Sequence, residues 1–182
     1  MKISKEELFR KEPITEKEFR KIAQFIDQTY PARTNNDIPF LADKSTFDVW
    51  YRLLNNRNYL AMRLGMEDYC LENKYAPALS DIAEYTGKKT IKVVETRRVL
   101  IDNLNEIKWK CGIEEIGAEE TNNYLDLILE KEERNLDEYI FTSNRFVSFA
   151  SWEVNDNKVE AKSLQELIDL WKEYWKMRKS PS

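Results

Sequence analysis

Three times along the chain a hydroxyl residue is followed, three positions on, by glutamate: Ser4 with Glu7, Thr15 with Glu18, and Ser163 with Glu166. In such a capping box the hydroxyl accepts from a backbone N–H of the first turn and the carboxylate reaches back to the cap, so each pair marks a helix start. Apolar residues at helical spacing follow the second and third boxes. They are Phe19, Ile22, Ala23, Ile26 and Tyr30 after Thr15, and Leu164, Leu167, Ile168, Trp171, Tyr174 and Trp175 after Ser163. That period buries one helix face and does not suit a strand. The chain is therefore predicted to be mainly α-helical.

Breakers divide the first half into short helices. Pro13 ends the helix opened at Ser4, and Pro31 ends the one opened at Thr15. Residues 31–44 hold two prolines and an asparagine pair and read as a loop. Ser45 is predicted to cap a helix through Leu54, carrying Phe47, Trp50, Tyr51 and Leu54. After Asn55-Asn56, a helix from Asn58 to Glu72 places Tyr59, Met62, Met66, Tyr69 and Cys70 on one face. Residues 73–77 form a turn. A short helix from Ala78 to Thr86 is predicted to stop at Gly87, in the usual position of a left-handed C-terminal cap. Trp50, Tyr59 and Tyr69 are read as core.

The character changes at Lys88. Residues 88–110 hold seven basic and three acidic residues, a local charge of +4. A helix is predicted through Val99, Leu100, Leu104 and Ile107, whereas Thr90–Val94 also suits a strand because β-branched residues concentrate there. Residues 113–138 hold ten acids and two bases, a local charge of −8, with an apolar stripe at Tyr124, Leu125, Ile128 and Leu129. Residues 139–154 are aromatic, β-branched and serine-rich. Turn residues Asn155-Asp156-Asn157 and the segment KVEAK follow, which together predict an antiparallel hairpin. The expected architecture is mainly α, with an N-terminal helical bundle in residues 1–87. An α+β C-terminal part in residues 88–182 is expected to carry the small hairpin, with the join near residues 87–90.

Composition removes many chemistries. The chain has no histidine, so the usual general base and the commonest zinc ligand are missing. Its four glycines, Gly65, Gly87, Gly112 and Gly117, form no phosphate-cradling loop. Two cysteines, Cys70 and Cys111, are too few for a four-cysteine zinc site or a disulfide framework, and suit a reducing cytoplasm. No apolar run predicts a membrane span, and MKISKEELFRKEP lacks the apolar stretch of a secretory signal. Carboxylate-only catalysis, with or without Mg²⁺, is compatible with this inventory, but no enzyme activity, cofactor or metal is expected. The expected location is the cytoplasm of a bacterial host.

The first half carries a further pattern. Tyr30-Pro31 follows the first long helix. Trp50-Tyr51 with Leu53-Leu54 comes next, then Tyr59 opening the following helix. The closing segment is Asn73-Lys74-Tyr75, Pro77, Leu79 and Asp81-Ile82. In these residues, over about 15–87, the chain resembles the phage replicative-helicase loader/inhibitor proteins of Gram-positive hosts. The resemblance implies a non-enzymatic adaptor that binds a hexameric replicative helicase. It also implies a short C-terminal part, from which the long, patterned residues 88–182 depart.

Three functions follow as expectations. The first is a helicase loader or inhibitor, with Trp171, Tyr174 and Trp175 as a partner surface, since aromatics are enriched at interface hot spots. The second is an inhibitor of another nucleic-acid enzyme, such as an anti-CRISPR protein acting on Cas9. There Glu119, Glu120, Glu130, Glu132 and Glu133 would mimic phosphate charge in a DNA-binding channel. The third is a weak direct DNA contact through Lys88, Lys89, Arg97 and Arg98.

Overall fold

The computed structural model describes residues 3–31, 43–131, 135–156 and 163–179. Eight helices are seen among them: α1 Lys5–Phe9, α2 Glu16–Thr29, α3 Lys44–Leu54, α4 Tyr59–Glu72, α5 Leu79–Lys110, α6 Ala118–Ile128, α7 Leu136–Asp156 and α8 Leu164–Lys179. The chain divides into two compact units. One is Glu6–Val94, and the other is Met1–Lys5 with Glu95–Ser182. The division falls inside α5, so the two units share one continuous helix.

The N-terminal unit forms where its caps say it should. Thr15 and Glu18 make the full reciprocal capping box at the start of α2. Asn58 caps α4, its side chain accepting from Ala61 N at 3.1 Å. The cap of α3 is Asp43, not Ser45. The Asp43 carboxylate accepts from Ser45 N at 3.0 Å and from the Ser45 hydroxyl at 2.7 Å. Phe19, Ile22, Ala23 and Ile26 of α2, Phe47 and Leu54 of α3, Met62, Met66 and Tyr69 of α4 and Ile82 of α5 close one core. Trp50 and Tyr59 pack partly buried against it. Helix α4 is buried nearly all round, and at Gly65 an added Cβ would lie 2.8 Å from the Tyr85 carbonyl carbon. The buried Arg63 of α4 lies between Glu7 and Glu67, each at 3.6 Å, so its charge is compensated.

Two sequence expectations are overturned. Gly87 ends no helix, because α5 runs through it and through Thr90–Val94 to Lys110. The Thr90 hydroxyl donates to the Thr86 carbonyl at 2.8 Å, a bond that settles a β-branched residue into a helix. Ile82, Thr86, Val93, Thr96, Leu100, Leu104 and Ile107 are buried at helical spacing. That period decides the element over local β propensity.

The expected hairpin is likewise absent, and the described residues contain no strand, so the class is all-α rather than α plus α+β. Residues 139–156 lie within the single helix α7. Its serines bond back along the helix, Ser148 to the Asn144 carbonyl at 3.1 Å and Ser151 to the Val147 carbonyl at 2.9 Å, so a serine-rich stretch stays helical without orphaned hydroxyls. Leu136, Tyr139, Ser143, Phe146, Val147 and Ala150 form its buried face. The expected return strand KVEAK lies outside the described residues. Around this face the C-terminal unit builds a polar cluster: Asn103 of α5 donates to Ser143 Oγ at 2.6 Å, and the Tyr124 and Ser143 hydroxyls meet at 2.5 Å. Burial pushes the Tyr124 phenol well above its ordinary pKa. No helix among the described residues is long and apolar enough to cross a membrane.

Candidate partner-binding surface

Part of the first-half motif is brought together as a scaffold, whereas Leu53 and Tyr75 of the same motif stand exposed. The Tyr30 hydroxyl donates to the Asn73 carbonyl at 2.8 Å. The Asn73 amide donates to the Tyr69 carbonyl at 3.0 Å and lies 3.4 Å from the Tyr85 hydroxyl. Tyr85 in turn donates to Glu72 at 2.7 Å. Asp81 accepts from Ala78 N at 2.8 Å and so caps the start of α5. The rings of Tyr69 and Tyr85 meet edge-on at 5.2 Å. Burial raises the Tyr69 phenol, with the Asp81 charge adding to the shift. These contacts lock α2, α4 and α5 together.

The basic residues do not form an open patch. Lys88 pairs with Glu84 at 2.7 Å, which raises its pKa, and lies 4.8 Å from the Tyr85 ring centroid. Lys89 pairs with Asp68 at 2.6 Å. Arg97 is half-buried, and desolvation lowers its pKa. Arg98 is exposed.

The described members of the acidic set differ in what they do. Glu119 is exposed in the first turn of α6. Glu120 is committed to structure: its carboxylate accepts from Gly117 N at 3.2 Å and from Gln165 N at 3.3 Å, covering the starts of α6 and α8. Glu130 is exposed at the mouth of a groove. Glu132 and Glu133 lie outside the described residues.

The aromatic stripe of α8 is mostly core. Trp171 is only 8% exposed and meets Phe146 at 5.4 Å and Phe149 at 5.1 Å, both edge-on. Tyr174 packs on Phe149 at 5.4 Å. Trp175, at the end of the stripe, contacts Trp171 at 5.6 Å and Tyr174 at 5.7 Å. Its indole N–H is enclosed with no hydrogen-bond acceptor. Trp171 and Trp175 also line a groove of about 630 Å³ bounded by α6, α7 and α8.

Sequence reasoning missed the other side of that groove. Arg145 of α7 stands over the Trp175 ring at 4.7 Å, with Lys172 and Lys176 of α8 beside it. The signal was present as Phe141-x₃-Arg145, but it becomes one face only when residues 139–156 are read as helix.

With this geometry in place, residues 14–83 match the family model described as G39P, N-terminal domain, a domain of phage helicase-binding proteins. The match covers the N-terminal core and leaves α6, α7 and α8 outside it. The chain matches no curated protein and no solved structure.

Proposed function

We propose that this protein is a non-enzymatic regulator of a replicative DNA helicase, acting in a bacterial cytoplasm infected by a phage or carrying a mobile element. The observation that carries the reading is the match of residues 14–83 to the G39P N-terminal domain. In this reading the N-terminal unit is the inherited scaffold, and the C-terminal unit supplies the surface that distinguishes this chain. Binding either delivers the helicase to DNA or holds it inactive.

The acidic-mimicry alternative, inhibition of Cas9, has less to stand on. It needs a row of free carboxylates, and Glu120 is engaged at two helix starts. A direct DNA contact is weakened in the same way by the pairing of Lys88 and Lys89.

The test is co-elution of the full chain with a purified hexameric replicative helicase, with and without a non-hydrolysable ATP analogue, followed by unwinding assays. A stable complex with altered unwinding is expected. No complex at micromolar concentrations in either nucleotide state would remove the reading, and a complex with Cas9 instead would restore the alternative.

A further inference from the structure

The buried arginine of the N-terminal unit, Arg63, lies between two carboxylates, whereas the groove of the C-terminal unit holds an arginine that is not paired. Arg145 lies 4.7 Å from the Trp175 ring centroid and 5.6 Å from that of Phe141. It forms no ion pair and no hydrogen bond among the described residues. Contact with ring faces positions a guanidinium while leaving its fork of N–H donors available, the geometry that grips a carboxylate with two parallel hydrogen bonds.

We propose that the groove bounded by α6, α7 and α8 docks an acidic amphipathic segment of the partner protein, with Arg145 gripping one of its carboxylates. Charge complementarity is the first argument. Lys131, Lys172 and Lys176 line the groove with Arg145, against Asp126 and Glu130. Asp126 is already held by Lys5 at 3.0 Å, and Lys131 and Lys172 form no ion pair among the described residues. A cationic groove therefore sits in a chain of net charge −4.

Size is the second argument. A groove of about 630 Å³ lies in the range of ligand-sized sites and has room for the side chains of about two turns of helix.

A single-stranded nucleic acid fits less well. Asp126 and Glu130 in the lining repel a run of phosphates more than one or two seated carboxylates. The Trp175 ring is already occupied by Arg145, Trp171 and Tyr174 and is not offered for base stacking.

Naming the helicase as the partner rests on the reading above, whereas the chemistry of the groove is tested separately. The full chain, ¹⁵N-labelled, is titrated with an 18-residue helical peptide of leucine and glutamate faces, with its glutamine counterpart, and with an 18-nucleotide oligo-dT. The glutamate peptide is expected to shift the Trp175 indole and the Lys172 amide resonances. The glutamine peptide and the Arg145→Gln variant are each expected to bind at least tenfold more weakly. Arg145→Lys, which keeps the charge without the planar fork, falls between. In parallel, wild type and Arg145→Gln are titrated against the helicase, with at least a tenfold loss expected.

No shift at these residues, equal binding of the glutamine peptide, or preferential binding of oligo-dT overturns the groove assignment, even where helicase binding stands. Docking of the glutamate peptide without any helicase binding overturns the choice of partner and leaves the groove assigned.

Discussion

Arg63 in the first unit and Arg145 in the second are set in opposite ways, one between two carboxylates and the other against two aromatic rings. In Glu6–Val94 several cations next to the core are tied up: Arg63 between Glu7 and Glu67, Lys88 on Glu84, Lys89 on Asp68, and Arg10 on Glu18. In the C-terminal unit Lys110 is likewise held by Glu106, but Arg145 and Lys172, which line a groove with Asp126 and Glu130, form no ion pair among the described residues. Exposed charge carries little stability when paired, but leaving charges unpaired beside an apolar groove keeps recognition available. The proposed groove rests on that difference at Arg145.

The comparison can be broken most forcefully in the core of the C-terminal unit. Phe146 is fully buried against Tyr124, Phe149 and Trp171. Phe146→Ala is expected to cost about 3–5 kcal/mol. Hydrogen exchange should show the protection lost mainly in Glu95–Ser182. Equal loss in Glu6–Val94 would show that the units are one cooperative body.

The reciprocal change is Gly65→Ala. Its Cβ would meet the Tyr85 carbonyl carbon at 2.8 Å, and backbone has to move to admit it. A loss of about 1–3 kcal/mol is expected, read as a lower denaturant midpoint with exchange loss centred on α4 and the start of α5. An unchanged midpoint would mean that the close approach of these two helices is not needed.

A smaller effect is expected at the capping box of α2. Thr15→Ala removes the acceptor for Glu18 N and should cost about 1 kcal/mol, measured by chemical denaturation.

The mildest test is acid. Hydrogen bonds from the Thr46 and Ser45 side chains hold the Asp43 carboxyl at about 2, against an ordinary 3.8. A carboxylate depressed in the folded state stabilises fully above its unfolded pKa, and that contribution is lost as pH falls from 3.8 towards 2. Circular dichroism should show Asp43→Asn shrinking the acid-induced loss in the N-terminal unit, with little change at neutral pH. An identical acid profile would remove Asp43 from the account.

Much of the N-terminal unit was legible because its signals are local. The Thr15–Glu18 box, the Asn58 cap and the spacing of Phe19, Ile22 and Ile26 each act within about one turn of helix. In the second half, local preference and tertiary period disagree. The β-branched run Thr90–Val94 and the serine-rich run after Tyr139 both read as strand or turn by propensity, yet both are helix. Misreading the second as a hairpin also hid Arg145, whose position relative to Trp175 exists only once α7 and α8 pack together.

The sequence by itself determined an α-rich chain without histidine or phosphate loop, a helical N-terminal scaffold with its caps, and the segregation of charge along the chain. Only the tertiary structure decided which charges are spent and which are free. Glu120 is consumed at two helix starts and Lys89 by Asp68, while Arg145 is left over an indole. Caps and helical period are set by neighbours within a few bonds of chain, whereas the pairing of a charge depends on residues tens of positions away that packing alone brings within reach.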